Sequence, residues 1–422
     1  MIYFLWALAA GSLIPWLVAA VAFAISRFNP PRLLALPADG PVPRLTVIAP
    51  ACNEEETVDA AMKTLLAVDY PDLEIIAVDD RSTDRTGSIL DALSNSRPAA
   101  GEERSSVPVE RPASREERSS VPIERPASRE ESSALRVERL RVVHVRELPP
   151  GWLGKNHALH VASQQATGDF ILFTDADVRF EPTALRRAVR YAVDRNLDQL
   201  CVFPDLELEA MIETATVGVF GMMYLLHTGF SSAADPRSKS HIGIGAFNLV
   251  RAAFYRTMGG HASLPLDVLD DVKLGKRLKE SGARVGIAIG TGAVRVRWIA
   301  GIGGFVRGMT KNLFSAFRYS LVRTFGGILV VLLMCCWPVA GVFLGPLGPR
   351  LLCGATLLAM VVGGAVQPIA RGLRRLNGLF FPLGGVVFCA ALIRSAVLTL
   401  ARGGIEWRGT FYALKDLRKG LV

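Results

Sequence analysis

Two pairs of carboxylates dominate the chemistry open to this sequence. Thr174-Asp175-Ala176-Asp177 follows an apolar run at 170–173, and Asp270-Asp271 precedes apolar positions at Val272, Leu274 and Leu278. Carboxylates at i and i+2 on a strand end are costly unless a cation binds them. A hard divalent ion, Mg2+ or Mn2+, with diphosphate oxygens beside it, is the natural partner, and as a Lewis acid it would stabilise a leaving nucleoside diphosphate. Two solvated turn residues are the plainer alternative. For the second pair, a helix start favours carboxylates and capping explains one of them, which leaves the other as a candidate general base. Two more clusters stand upstream, Pro50-Ala51-Cys52-Asn53-Glu54-Glu55 and Asp79-Asp80-Arg81-Ser82-Thr83-Asp84-Arg85-Thr86. Strand-end carboxylates there can hold ribose hydroxyls and a base edge, although Ser82 and Asp84 fit equally as turn and cap residues.

Positioning these clusters requires strands that end along one edge. Residues 45–49, 73–78, 140–145 and 170–174 are β-rich, and 54–66, 154–166 and 182–193 read as the helices between them. This alternation over 44–208 predicts a mostly parallel sheet covered on both faces, with ligands beyond the carboxyl ends of its strands. Residues 97–136 break the pattern. Glu-Glu-Arg-Ser-Ser-Val-Pro begins at Glu102 and again at Glu116, and a third copy starts at Glu130. With eight Arg, eight Glu, five Pro and no aromatic residue, the segment cannot build a core and reads as a disordered, duplicated insert rather than a docking tail.

In this order and at these intervals, the four clusters resemble the family 2 glycosyltransferases of GT-A fold, from about residue 45 to 311. The family pattern has a P-x-x-N-E strand end (Pro50, Asn53, Glu54), a D-D-x-S-x-D-x-T turn from Asp79 to Thr86, a D-x-D metal motif (Asp175, Asp177) and an acidic pair (Asp270, Asp271). Gly154-Lys155-Asn156-His157-Ala158-Leu159 matches a segment whose lysine lies near the donor diphosphate, and Gly243, Gly245 and Phe247 resemble the loop beside the acceptor, with Asp270 on the same side. The resemblance implies a nucleotide-sugar donor, with Asp79 and Asp80 holding the nucleoside, Asp177 the metal, and Asp271 as the base in an inverting, single-displacement transfer. Pro149 to Lys155 and Glu406 to Tyr412 are similar to membrane enzymes linked with hopanoid and carotenoid glycosylation, which implies a lipid acceptor. No Q-x-x-R-W follows Asp271, which argues against a processive polysaccharide synthase.

Half of the residues are apolar and the net charge is +9. Residues 1–25 are uncharged and Arg27 and Arg32 follow, which reads as a transmembrane anchor over 1–26 with its Arg side cytoplasmic, not as a cleaved signal peptide. Three further apolar runs lie at 325–347, 351–370 and 378–401. Arg371, Arg374 and Arg375 mark a cytoplasmic loop. Three full spans would then put the basic tail, 402–422, outside. Pro382, Gly384, Gly385 and Arg394 favour a re-entrant hairpin for 378–401 instead. Residues 209–230 read as a helix on the domain or at the membrane face, and 301–323 as an interfacial amphipathic helix. No acidic residue occurs from 281 to 405, where thirteen Lys and Arg are interleaved with apolar runs; this fits an anionic membrane surface and not nucleic acid. The six cysteines show neither CxxC nor zinc spacing and read as reduced. The expected protein is a multi-pass enzyme of the inner (cytoplasmic) membrane, its catalytic domain at 44–300 in the cytoplasm.

Three other classes compete with a sugar transferase. A nucleotidyltransferase of similar fold would not need Asp270 and Asp271 beside an acceptor loop. A scaffold with a degenerate domain would be expected to have lost an acidic cluster. A transporter needs more spans, and intramembrane charges beyond Arg394.

Overall fold

The computed structural model describes residues 1–25, 29–95, 139–298, 300–367 and 372–420. The insert at 97–136, Arg27 and Arg371 lie outside these residues. An eight-stranded sheet has the order β3-β2-β1-β4-β7-β6-β8-β5. Its strands are β1 (Leu45–Ala51), β2 (Leu73–Asp80), β3 (Leu140–Val145), β4 (Phe170–Phe173), β5 (Arg179–Phe180), β6 (Gln199–Leu206), β7 (Asn248–Arg251) and β8 (Val285–Val296). The sheet is mixed but mostly parallel, as expected: of the eight described strands, β1, β2, β3, β4, β6 and β8 run one way and β5 and β7 run against them. β1, β2, β3 and β4 are parallel neighbours, but β7 runs antiparallel to both β4 and β6, and β5 runs antiparallel to β8. The antiparallel strands come from outside the alternating region or are too short to leave a periodic signal.

The period of two along each strand divides the core. Val47, Ala49, Ile75, Ala77 and Leu172 enter one cluster; Ile48, Ile76, Val78, Ile171 and Phe173 enter another. Helices α1 (Ile2–Ile25), α2 (Val58–Leu66), α3 (Thr86–Asn95), α4 (Gly154–Gln165), α5 (Ala184–Asp194), α6 (Met211–Thr228) and α7 (Asp270–Glu280) precede β8 in the chain. Val58, Met62 and Leu65 of α2 with Leu185 and Val189 of α5 cover the first face. Ala158 and Leu159 of α4 with Leu274 and Leu278 of α7 cover the second. Burial on both faces explains why these strands read as continuous apolar runs. β1 is flanked by β2 and β4, so the chain leaves it in opposite directions, and a crevice opens at its carboxyl end.

After β8, residues 301–320 form two short helices, α8 (Gly301–Gly308) and α9 (Leu313–Ala316), where one amphipathic helix was expected. Gly301, Gly303, Gly304 and Gly308 lower the helix propensity there, and Phe305, Met309, Leu313 and Phe314 are buried. Then come α10 (Leu321–Val331), continued by Leu332–Cys336 and Trp337–Gly341, α11 (Leu347–Val366) and α12 (Phe381–Ala401). Four described helices are long and apolar enough to cross a membrane: Ile2–Ala22, Leu321–Gly341, Leu347–Val366 and Arg375–Ala401.

The hairpin expected at 378–401 does not form, because 381–401 is one unbroken helix. Pro382 sits in its first turn, where a missing N–H costs nothing, and Gly384 and Gly385 allow close packing on Ala215 and Cys335. α12 nevertheless does not start at the outer end of the bundle. Gly345 lies against Leu5 and Gly363 against Trp16, so α1 and α11 run side by side. Phe381 stacks on Trp16, partway along α1, with ring centroids 5.6 Å apart. From there α12 runs to Ser395, whose hydroxyl accepts from Phe314 N at 3.0 Å. It ends at a hairpin of β9 (Gly404–Trp407) and β10 (Thr410–Ala413). The basic tail therefore shares a side with the α/β domain, which removes the conflict that three full C-terminal spans would create.

Candidate active site

The first two clusters bind each other at the carboxyl ends of β1 and β2. Asn53, at φ 55°, accepts through Oδ1 from Thr83 N at 2.8 Å. Glu54 N donates to Thr86 Oγ1 at 2.8 Å, and Glu55 N to Asp84 Oδ2 at 3.1 Å. This turn delays helix α2 to Val58, four residues beyond the expected start. Pro50 is buried within β1. Asp79 Oδ2 meets His144 Nδ1 at 2.9 Å, and His144 Nε2 meets Asp91 Oδ1 at 3.0 Å. The bonds to Asp79 and then Asp91 hold the imidazole above its ordinary pKa. Asp80 is buried and takes Arg81 Nε at 2.8 Å and Nη2 at 3.2 Å. A Cβ on Gly154 would stand 2.3 Å from Arg81 Nη2 and 2.5 Å from Asp80 Oδ2, so the start of α4 approaches this pair as only glycine permits.

Lys155, one residue into α4, ties the other two clusters together. Its Nζ lies 2.8 Å from Asp175 Oδ1 and 3.3 Å from Asp270 Oδ2. Burial opposes its charge, but Asp175, Asp270 and Asp271 outweigh that and hold the ammonium above its ordinary range. Burial would raise Asp175, yet Lys155, Arg408 and Lys311 hold it below the usual carboxylate value. Asp177 goes the other way: burial, then Asp175 and Glu54, push it up to about 7. Its Oδ1 is buried with no hydrogen-bond partner. An orphaned carboxylate oxygen near a second carboxylate fits a bound cation. Among the described residues no three His, Cys, Asp or Glu side chains are grouped so as to hold a metal ion by themselves.

Asp270 opens α7, but the N-cap position is Leu269, whose side chain makes no cap bond. Asp270 is held by Lys155, and Asp271 Oδ1 accepts from the adjacent Val272 N, at 2.8 Å. Burial and then Asp270 push Asp271 up to about 7. Tyr224 OH donates to Gly243 O at 2.9 Å and accepts from Gly243 N at 3.1 Å, fixing the loop opposite. A Cβ on Gly245 would come within 2.9 Å of Asp175 Oδ2 and 3.5 Å of Asp271 Oδ2, so glycine keeps the space between these carboxylates open. Phe247, expected on the acceptor side, is buried in the core against Phe180 at 6.2 Å.

The tail supplies residues that the motifs did not single out. Arg408 and Gly409 have φ 50° and 75° at the two-residue tip between β9 and β10, the backbone that tight hairpins require. Arg408 donates through Nη1 to Cys52 O at 2.6 Å and through Nη2 to Glu54 Oε1 at 2.8 Å. Arg81 Nη1 donates to Thr410 Oγ1 at 3.1 Å, and Gly154 N to Tyr412 OH at 3.1 Å. Lys311 Nζ lies 3.3 Å from the centroid of the Trp407 ring, a cation–π contact. The Glu406–Tyr412 stretch was the one available signal, because a Trp-Arg-Gly turn followed by aromatics in a basic tail is more than a solvated end.

The model of Glycosyl transferase family 2 matches residues 46–104 and 127–255. Beta-monoglucosyldiacylglycerol synthase of Synechocystis sp. is 27% identical over 184 residues, covering 43% of this chain and 30% of that protein. The probable glycosyltransferase YdaM of Bacillus subtilis is 36% identical over 77 residues, covering 15% of this chain and 18% of that protein. The chain thus spans less than a third of the length of either relative. The mannosyltransferase PcManGT from Pyrobaculum calidifontis, solved with GDP-Man and Mn2+, superposes with a TM-score of 0.53 at 19% identity, covering 94% of this chain and 99% of that one. That likeness establishes a shared fold.

Proposed function

We propose that this chain, whose residues 46–104 and 127–255 match the glycosyl transferase family 2 model, moves one sugar from a nucleotide-diphosphate donor to a lipid hydroxyl at the cytoplasmic face of the inner membrane. The observation that carries the reading is the convergence of Asp175, Lys155, Asp270 and Asp271 around the space kept open by Gly245. Asp271 uses one oxygen on the Val272 N–H at the helix start, and a carboxylate near 7 is matched to base catalysis at neutral pH. In this reading the acceptor oxygen attacks the anomeric carbon while Asp271 takes its proton. The bond to the diphosphate oxygen breaks, the nucleoside diphosphate leaves, and the configuration inverts. Lys155 offsets charge on the leaving group, and burial strengthens that interaction. Asp79 and Asp80, held by His144 and Arg81, form the floor for the nucleoside. Asp177, with Asp175 beside it, would hold a divalent ion that neutralises diphosphate charge.

The diacylglycerol glycoside named in the Synechocystis relative, the four apolar helices and the shared side of site and tail support a membrane lipid as acceptor. The test is to incubate the purified full chain with UDP- and GDP-sugars, Mg2+ or Mn2+, and total host lipid, and to identify products by mass. One new glycolipid of inverted configuration is expected. Release of sugar 1-phosphate in place of a nucleoside diphosphate would mean nucleotidyl transfer, and sugar polymers would mean processive synthesis.

A further inference from the structure

Beside the active site lies an open cleft of ≈ 250 Å³ between the end of α8, the last turn of α12 and the β9–β10 hairpin. Arg307, Lys311, Leu398, Thr399, Arg402 and Trp407 line it. Leu398 and Thr399 end the apolar helix, so the cleft leads from that helix toward the catalytic carboxylates. Its charge is unbalanced. Arg402 is offset by Glu406 at 3.5 Å and Arg408 by Glu54 at 2.8 Å. Among the described residues, no carboxylate lies within salt-bridge distance of Arg307 or Lys311; Asp270 and Asp175 act on Lys311 from further off, and its ammonium sits on the Trp407 face.

From this arrangement we infer that the cleft is a binding site for a phosphate-bearing lipid headgroup, held by Arg307 and Lys311 and positioned against the Trp407 face. The inference rests on the lipid-acceptor reading above and narrows it from any lipid alcohol to an anionic one. Burial, with Lys155 and Arg408 nearby, brings Lys311 down to about 7, so an arriving anion would restore the charge that its surroundings disfavour. A neutral headgroup would give neither Arg307 nor Lys311 a charge-assisted hydrogen bond. The apolar wall from Leu398 suits the acyl or prenyl chain, which a free phosphate lacks.

The test is binding, not transfer. The purified full chain in nonionic detergent is titrated by calorimetry with dioctanoyl phosphatidate, dioctanoylglycerol, inorganic phosphate and UDP. Phosphatidate is expected to bind at least about tenfold more tightly than dioctanoylglycerol, from charge-assisted hydrogen bonds alone. The double variant Arg307→Gln, Lys311→Gln should lose that preference, Arg307→Gln alone should weaken it while UDP binding stays unchanged, and Lys311→Arg should keep most of it. Equal affinity for the neutral lipid overturns the proposal. So does inorganic phosphate binding as tightly as phosphatidate, or displacement of phosphatidate by UDP, since either makes the site one for free phosphate or the donor. If the double variant does not fold, the four ligands on the unaltered protein still decide. Phosphatidate binding without sugar transfer to any lipid would sink the transferase reading and leave this one standing; transfer without the preference would do the reverse.

Discussion

Gly243 and Asp271 touch through their backbones: a Cβ built on Gly243 would stand 1.8 Å from the Asp271 carbonyl oxygen. One turn further along the helix, a Cβ built on Gly275 would likewise stand 1.8 Å from Ile242 O. The loop at 242–247 and the helix carrying the acidic pair are thus pressed together at two glycines. Backbone cannot yield as a flexible side chain can, so Gly243→Ala must displace either the loop or the start of α7. Overpacking of this kind typically costs about 1–3 kcal/mol, and a misplacement of about 1 Å can cost about 10²-fold in rate. We expect Gly243→Ala to lose most transfer activity with a lower melting temperature. Near-normal kcat in a folded Gly243→Ala protein would show that this contact does not position Asp271.

As the proposed base, Asp271 should set a pH limb. A carboxyl at about 7 is mostly protonated below that value and cannot accept a proton, so kcat/KM should rise with pH through about 7. Asp271→Asn should lower kcat by about 10²-fold or more at nearly unchanged donor affinity. Asp270→Asn should hurt less, by loosening Lys155. The stability effect has the opposite sign. A carboxyl raised above its unfolded value favours the fold at acid pH and loses that contribution as pH rises through about 7. The Asn variant has no such loss, so its melting temperature should gain on the wild type between pH 5 and pH 8. Parallel melting curves at both pH values would contradict the buried, raised state of Asp271.

Metal dependence follows from the orphaned oxygen of Asp177. Excess EDTA, or Asp177→Asn, should abolish transfer without unfolding the protein. Added Mn2+ should restore the chelated enzyme but not the variant, as read by transfer assay beside circular dichroism. Full activity in EDTA would remove the metal role.

The repeat segment offers a check on the sequence reading itself. Residues 97–131 carry no material for a core, and loop length costs little beyond closure entropy. Deleting them should leave kcat close to that of the full chain, measured on equal amounts of folded protein. A collapse in kcat at normal expression would reveal a functional element in the repeat.

The strands that end at Ala51, Asp80 and Phe173 were legible because they are buried on both faces and alternate with helices at regular spacing. The acidic clusters were legible as a set, since carboxylates gathered at strand ends demand a partner. β7 and β8 were not, because their pairing depends on neighbours distant in sequence. Phe247 looked like a loop residue beside glycines, yet its side chain turns into the core. Pro382 and the two glycines after it suggested a break in α12, but the proline falls at the one helical position that tolerates it. Lys311 and Arg408 stand 97 residues apart in number (408 − 311), and no local pattern links them; the fold places both near Asp175.

Arg408 gives the sharpest test of whether the tail belongs to the working enzyme. A non-glycine residue at φ 50° costs about 1 kcal/mol or more, and it persists only where surroundings hold it. Here Cys52 O and Glu54 take both ends of the guanidinium, so the tip of the hairpin is fastened to the P-x-x-N-E turn. The group is planar, and two directed bonds use that shape, so Lys should not replace it. We expect Arg408→Lys and Arg408→Ala to weaken donor binding and lower kcat/KM by about tenfold or more, with a modest drop in melting temperature. Because Arg408 and Glu54 act on each other, their single losses should not add. In a double-mutant cycle, the pair Arg408→Ala, Glu54→Gln should cost less than the sum of its parts, with a coupling of about 0.5–3 kcal/mol. Strict additivity would mean that the two side chains do not meet in solution and that the hairpin lies elsewhere while the enzyme turns over.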